Sequence, residues 1–269
     1  MEKLHSDIEH VRILTSLLVQ KGIKEVILSP GSRNAPLLVS IAREKRLKHH
    51  VIVDERSAAF FALGIAQQTD RPVALICTSG TALLNYSPAV AEAFYQGIPL
   101  IVISADRPTE WIDQDDSQTI RQQNALDNFV KGSFQLPTAI TGEEDRWHAN
   151  RLVNEAINLS LNNRKGPVHI NIPLREPLYE FQQECSPSQR VIKTLKDNPS
   201  LSPETSQGLR EEFFLCPKVM IIAGFHAPDP ILQQHIELLA SLPNVIDLTE
   251  SVTNLSAPLI IPTIDRVIS

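Results

Sequence analysis

The sequence predicts an α/β fold: three αβα layers, with helices on both faces of a mostly parallel sheet, followed by the start of a second α/β domain. Short runs rich in Val, Ile and Leu alternate with amphipathic segments from the N-terminus onward. Those runs are apolar almost without a break, as in strands buried on both faces, instead of alternating apolar with polar. A polar, proline-containing stretch at residues 181–203 then separates this pattern from a second one.

Each element has its own signal. Residues 7–21 place Ile8, Val11, Leu14, Leu17 and Leu18 at helical spacing, and Gly22 closes the helix. "EVILS" reads as a strand ending in the turn "PGSRNAP", and "LLVSIAREK" is helical again. "HVIV" is a strand, 56–68 a helix, "VALICT" a strand, 81–96 a helix and "LIVISA" a strand. After a long polar loop, 144–162 read as a helix and "PVHINIP" as a strand, so the first domain spans 1–180. Beyond the linker, 204–216 are helical, "KVMIIAGF" and "NVIDLT" are strands, and a helix lies between them. Two strands bury too little surface for a comfortable domain, so 204–269 are expected to be an incomplete one.

Composition narrows the function. The chain has 269 residues, 42% hydrophobic and 21% charged, as in an ordinary soluble protein. A net charge of −6 argues against nucleic acid, and scattered Lys and Arg give no footprint for an anionic membrane. The three cysteines, Cys77, Cys185 and Cys216, have neither metal-ligand nor redox spacing and read as reduced thiols. The N-terminus is charged throughout, unlike a signal peptide, and no run approaches the roughly 18 apolar residues of a membrane span. A cytoplasmic protein is expected.

Three turns share one design, in which a buried strand ends, small residues turn and a helix begins. Ligands bind at that edge of open α/β sheets. In "SPGSRNAPL", Ser32 is placed to cap the next helix and Arg33 sits at its positive end, where a cation calls for an anion. An ordinary cap with a solvated arginine is the alternative. In "VDERS", Asp54 suits the cap of the next helix, and Glu55 is left as a carboxylate beside "SAAFFALGIA", a helix apolar on nearly every face. Such a helix in a soluble protein suggests a subunit interface, with Glu55 poorly solvated near it. In "CTSGTALLN", Ser79, Gly80 and Thr81 offer backbone N–H groups at a helix start, or simply a capping turn. A fourth stretch, "SADRPTEWIDQDDSQTIRQQNAL", puts Arg107 next to Asp106, as a structural pair or a ligand contact, with Gln118 and Arg121 following. His49 and His50 read as surface residues, and His169 as a satisfied core histidine.

Taken in order, "SPGSRNAPL", "VDERSAAFFALGIA", "TSGTALLN", "ISADRPTEWID" with "SQTIRQ", and "GPVHINIPLREPLY" resemble the N-terminal part of the SEPHCHC synthase (MenD) family, the thiamine-diphosphate enzymes of menaquinone biosynthesis. The resemblance covers roughly residues 1–180 and, more loosely, the start of the second domain. It implies a pyrimidine-binding domain in which Glu55 hydrogen-bonds N1′ of the cofactor and activates it, with Thr78, Ser79 and Gly80 along the pyrimidine. It further implies that Ser32, Arg33, Arg107 and Gln118 hold isochorismate, to which the succinyl unit of decarboxylated 2-oxoglutarate is added. Position 117 is Ser, where some family members carry Asn, which leaves a contact there in doubt.

The family also has a later domain whose Gly-Asp-Gly…Asn motif binds Mg²⁺ and the diphosphate. None of the 10 glycines here forms Gly-Asp-Gly. The chain is therefore expected to be a truncated or isolated N-terminal half, without metal ligands of its own, inactive alone, and part of a homodimer or homotetramer when complete. Two alternatives stay open. One is another thiamine-diphosphate 2-oxo acid decarboxylase or synthase, and the other is a non-catalytic module that binds a dicarboxylate or drives assembly.

Overall fold

The computed structural model describes residues 5–182, 188–195 and 200–264. Two units are evident, Met1–Leu195 and Lys196–Ser269. In the first, β1 (His5–Ser6) precedes α1 (Glu9–Gln20), β2 (Glu25–Leu28), α2 (Ala35–Arg43), β3 (Lys48–Val51), α3 (Glu55–Thr69) and β4 (Val73–Cys77). Then follow α4 (Thr81–Asn85), α5 (Ser87–Gln96), β5 (Leu100–Asp106), β6 (Ser133–Gln135), α6 (Glu143–Leu161), β7 (Val168–Pro173) and β8 (Phe181–Gln182).

Six strands form one all-parallel sheet in the order β3-β2-β4-β5-β7-β6, and β1 pairs with β8 antiparallel. The expected three layers follow from residue alternation along each strand. Val26 and Leu28 face a core shared with α1, α2 and α6. Ile27 between them faces a second core, built on α3, α4 and α5. Both faces of the central strands are covered, so most of their positions carry apolar side chains, which is why they read as near-continuous runs.

Four expectations shift. The strand expected at 50–53 lies at Lys48–Val51, because its ladder with β2 runs from Glu25↔Lys48 to Leu28↔Val51 and Glu25 bonds both Lys48 (3.3 Å) and His50 (2.8 Å). The helix expected over 81–96 breaks at Tyr86 into α4 and α5. Pro88 has no N–H to return to the carbonyl four residues back, and its ring crowds that carbonyl. The helix at 56–68 is covered on one face only: its alanines are buried, while Phe60 and Phe61 are 46% and 44% exposed. Finally, β6 sits within the expected polar loop, where three half-buried residues leave no periodic signal.

Part of the expected linker rests on the first unit. The Asn154 side chain accepts from Ile192 N (2.8 Å) and donates to Arg190 O (3.0 Å), which holds these residues on α6. The second unit has α7 (Pro203–Leu215), β9 (Val219–Ala223), α8 (Pro230–Ala240), β10 (Val245–Thr249) and β11 (Ile260–Ile261). Its parallel sheet has the order β11-β10-β9, one short strand more than expected. Its core is small, centred on Ile236, Ala240, Leu255 and Ile260. Cys77 and Cys216 are free thiols, and Cys185 lies outside the described residues. Among the described residues no helix is long and apolar enough to cross a membrane.

Candidate active site

The site residues expected from sequence lie in loops that leave the carboxyl edge of the parallel sheet, except Glu55, which opens the helix α3 that follows β3. The chain passes outward from β2 to β3 through α2 on one face, then returns past β2 to β4 through α3 on the other. That reversal opens a crevice above β2 and β4. The two loops touch there: a Cβ on Gly31 would lie 2.4 Å from Thr78 Cβ, so only glycine fits.

Asn34, not Ser32, organises the first loop. Its amide accepts from Gly31 N (2.9 Å) and donates to Ser29 O (2.8 Å), and α2 starts after it. Ser32 is exposed and does not cap the helix, so that expectation is corrected. Arg33 turns inward and is only 5% exposed. It donates to Leu174 O (3.1 Å) and to Glu176 Oε1 (3.1 Å). Arg107 approaches the same Glu176 oxygen at 4.0 Å. Its guanidinium pairs with Asp116 (2.9 Å) and donates to Ser117 O (3.0 Å), so the expected pairing with the adjacent Asp106 is not formed. Asp106 instead accepts the Arg107 backbone N–H at 2.8 Å. Burial pushes the Asp106 carboxyl up to about 6, against the pull of Asn171 and the Arg33 charge. Arg33, Arg107, Arg175 and Trp111, with Asp116 and Glu176, line a cleft of about 400 Å³. Three guanidinium groups in one cleft suit a ligand carrying carboxylates, which arginine binds bidentately.

Beside it, a second cleft of about 350 Å³ is lined by Glu55, Thr78, Ser79, Gly80, Asn85 and Gln118. Asp116 lines both clefts. Asp54 caps α3, as expected, by accepting from Ser57 N at 2.7 Å, and this fixes the turn that carries Glu55. Glu55 is half-buried in this unit, more solvated than its sequence setting suggests. Its charge reaches down to Cys77 and Tyr86, where burial comes first and Glu55 adds to it in raising both groups above their ordinary values. Gly80 has φ +83°, and a Cβ there would meet Gln118 O at 3.0 Å. Its N–H is not free, as expected from sequence, but donates to Gln122 Oε1 at 2.7 Å. Thr78 Oγ1 and Ser79 Oγ are buried and make no hydrogen bond among the described residues. Two orphaned hydroxyls beside a carboxylate suit a ligand with several hydrogen-bonding atoms.

Beneath both clefts runs a polar layer that the sequence did not reveal. His169 is buried, which drives its imidazole down to about 4 and keeps it neutral. Its Nε2 bonds Ser104 Oγ (2.8 Å) while Nδ1 has no partner among the described residues, so it is only half satisfied. Ser104, Asn171, Gln122 and Asp106 continue the layer. Arg175 and Asn171 come from the end of β7, and attention to every strand's carboxyl end would have found them. Trp111, Asp116 and Gln122 lie within the fourth quoted stretch, with nothing in their local pattern to single them out.

The family model for the thiamine pyrophosphate enzyme N-terminal TPP binding domain matches residues 9–126. A 2-succinyl-5-enolpyruvyl-6-hydroxy-3-cyclohexene-1-carboxylate synthase from Porphyromonas gingivalis is 45% identical over 269 residues, covering 100% of this chain and 47% of that protein. Proteins of the same name from Cytophaga hutchinsonii and Christiangramia forsetii are 47% and 42% identical, covering 83% and 98% of this chain and 40% and 48% of theirs. The chain thus spans about half the length of the curated relatives it matches. Over its full length the chain resembles the N-terminal part of these SEPHCHC synthases, and its residues 9–126 match the N-terminal TPP binding domain of thiamine pyrophosphate enzymes.

Proposed function

We propose that this chain is the pyrimidine-binding half of a thiamine-diphosphate-dependent SEPHCHC synthase acting in menaquinone biosynthesis, taking 2-oxoglutarate and isochorismate as substrates. The observation that carries the reading is the pair of adjoining clefts, one with Glu55 facing orphaned hydroxyls and the other with three arginines. When bound, thiamine diphosphate supplies the electron sink for loss of CO₂ from 2-oxoglutarate and for transfer of the succinyl unit. Glu55 would hold N1′ of the aminopyrimidine, and a carboxyl at that atom shifts proton density toward the exocyclic nitrogen. Thr78 and Ser79 would give their unused hydroxyls to the same ring system, with Gly80 allowing close approach. Arg33 and Arg107 would bind the carboxylates of isochorismate, with Arg175 at the cleft wall. Gln118 lies in the Glu55 cleft, so on this reading it reaches isochorismate from the cofactor side, whereas the exposed Ser32 lines neither cleft.

Mg²⁺ and the diphosphate are assigned outside these 269 residues, and the chain alone is expected not to turn over. Among the described residues no three metal-ligating side chains lie together. The exposed Phe60 and Phe61 on α3 support a dimer or tetramer in the complete, cytoplasmic enzyme. To test the reading, residues 1–269 replace the matching half of the Porphyromonas relative, and product formation from isochorismate and 2-oxoglutarate is measured. Activity in this chimera, lost by at least about 100-fold on Glu55→Gln with an unchanged circular dichroism spectrum, is the expected result. A folded, inactive chimera, or near-parental activity in its Glu55→Gln variant, overturns the reading.

A further inference from the structure

We propose that Asn171 is a positioning residue for both clefts at once, fixing the Gly80 turn through Gln122 and the Arg107 backbone through Asp106. Asn171 is 2% exposed and lines neither cleft. A primary amide offers two lone pairs and two N–H groups, and here all four are used. Oδ1 accepts from Ser104 Oγ (2.6 Å) and Gln122 Nε2 (2.9 Å), while Nδ2 donates to Asp106 Oδ2 (2.7 Å) and Gln135 Oε1 (2.8 Å). The amide has one workable orientation, because its reverse would set Oδ1 against the Asp106 carboxylate and the Gln135 carbonyl.

The anchor is deeper still. Ser104 has a single proton and spends it on Asn171, so it accepts from His169, which places the imidazole proton on Nε2. From this fixed amide two arms reach the clefts. Gln122 also donates to Ala105 O (3.1 Å) and accepts Gly80 N–H (2.7 Å); Asp106 accepts Arg107 N–H (2.8 Å). Gly80 N precedes the first turn of α4 and Arg107 N follows the last residue of β5, positions where neither helix nor strand supplies an acceptor. With every donor and acceptor of its amide used, Asn171 is held rigidly, and removing it leaves its buried partners unpaired. The catalytic consequence rests on the function proposed above; the two arms do not.

The test is amide hydrogen exchange by NMR on the 269-residue chain, read at Gly80 and Arg107, with Leu75 in β4 and Val102 in β5 as references. Gln122→Met should speed exchange at Gly80 by at least about tenfold and leave Arg107 unchanged. Asn171→Asp keeps an oxygen toward Ser104 and Gln122 but withdraws the donor from Asp106, so Arg107 should accelerate by at least about tenfold and Gly80 should not. Asn171→Leu should release both amides, with the references within about twofold of the parent chain. Should that variant not fold, the first two still decide. An unmoved Gly80 in Gln122→Met, or an unmoved Arg107 in Asn171→Asp, overturns the proposal. References that accelerate as much as the two amides also overturn it, because Asn171 would then merely hold the fold. No cofactor or substrate enters this measurement, so an inactive chimera and a failed positioning role are separate results.

Discussion

Acidification should destabilise the first unit through two buried histidines, and one substitution should remove the share of one of them. His10 and His169 are both buried, and burial holds each at about 4, against an ordinary 6.5. Each therefore contributes stability that is present above 6.5 and lost as pH falls from there toward 4, since the unfolded chain takes up the proton first. Between about pH 7.5 and about pH 5 this loss is about 2 kcal/mol per histidine, about 4 for the two. Asp106 works in the opposite sense. Its folded value of about 6 lies above the ordinary 3.8, so its contribution is complete below 3.8 and lost as pH rises through 6. Over the same acid step it returns about 1 kcal/mol, leaving a net loss of about 3 kcal/mol from these three groups. His169→Gln keeps a side-chain N–H for Ser104 but cannot titrate, so it should remove about 2 kcal/mol of the pH dependence, whatever it does to stability at neutral pH. Trp111 and Trp147, the only two tryptophans, both lie in the first unit, so urea melts followed by tryptophan fluorescence report on it alone. A His169→Gln chain that loses as much stability between the two pH values as the parent would refute the buried, neutral imidazole and the hydrogen-bond directions built on it.

Three further outcomes follow from the geometry. Gly31→Ala drives a Cβ to 2.4 Å from Thr78 Cβ and should cost about 1–3 kcal/mol in the same urea melt; an unchanged midpoint would mean that the two turns are not in contact. Asp54→Ala removes the cap of α3 and should cost about 1 kcal/mol, whereas Asp54→Asn should recover most of it; equal losses for both would assign the effect to something other than the cap. In the active chimera, Arg33→Lys should raise KM for isochorismate by at least about tenfold, because an ammonium cannot serve Leu174 O and a carboxylate in one plane; an unchanged KM would remove Arg33 from that site.

What the sequence disclosed and what it concealed divide along a physical line. Strands β2, β4, β5 and β7 were legible because burial on both faces favours apolar residues along most of their length. The loops at their carboxyl ends were legible as a site because parallel strands bring those ends to one edge. Glu55, Thr78, Ser79, Gly80 and Gln118 do lie along one cleft, and Arg33 and Arg107 along its neighbour. Hydrogen-bond partners were not legible. Asp106 adjoins Arg107 in the chain, yet the guanidinium pairs with Asp116, because Asp106 lies 1% exposed in the polar layer beneath the cleft and takes its neighbour's N–H there. Ser32 is a good capping residue by type, yet Asn34 closes the loop, since its amide both donates and accepts across the turn and a hydroxyl in Ser32's exposed position reaches neither group. Gly80's N–H is satisfied from 42 residues away. A local sequence determines where a turn's N–H groups appear along the chain, but the acceptor is chosen by whichever side chain the tertiary fold brings within 3 Å. The polar layer of Gln122, Asn171 and Asp106 is assembled from β7 and from two points 16 residues apart in the stretch 104–126, each ordinary by itself. Such a layer becomes visible only when the sheet has set the ends of β5 and β7 side by side, and it is there that the two clefts are joined.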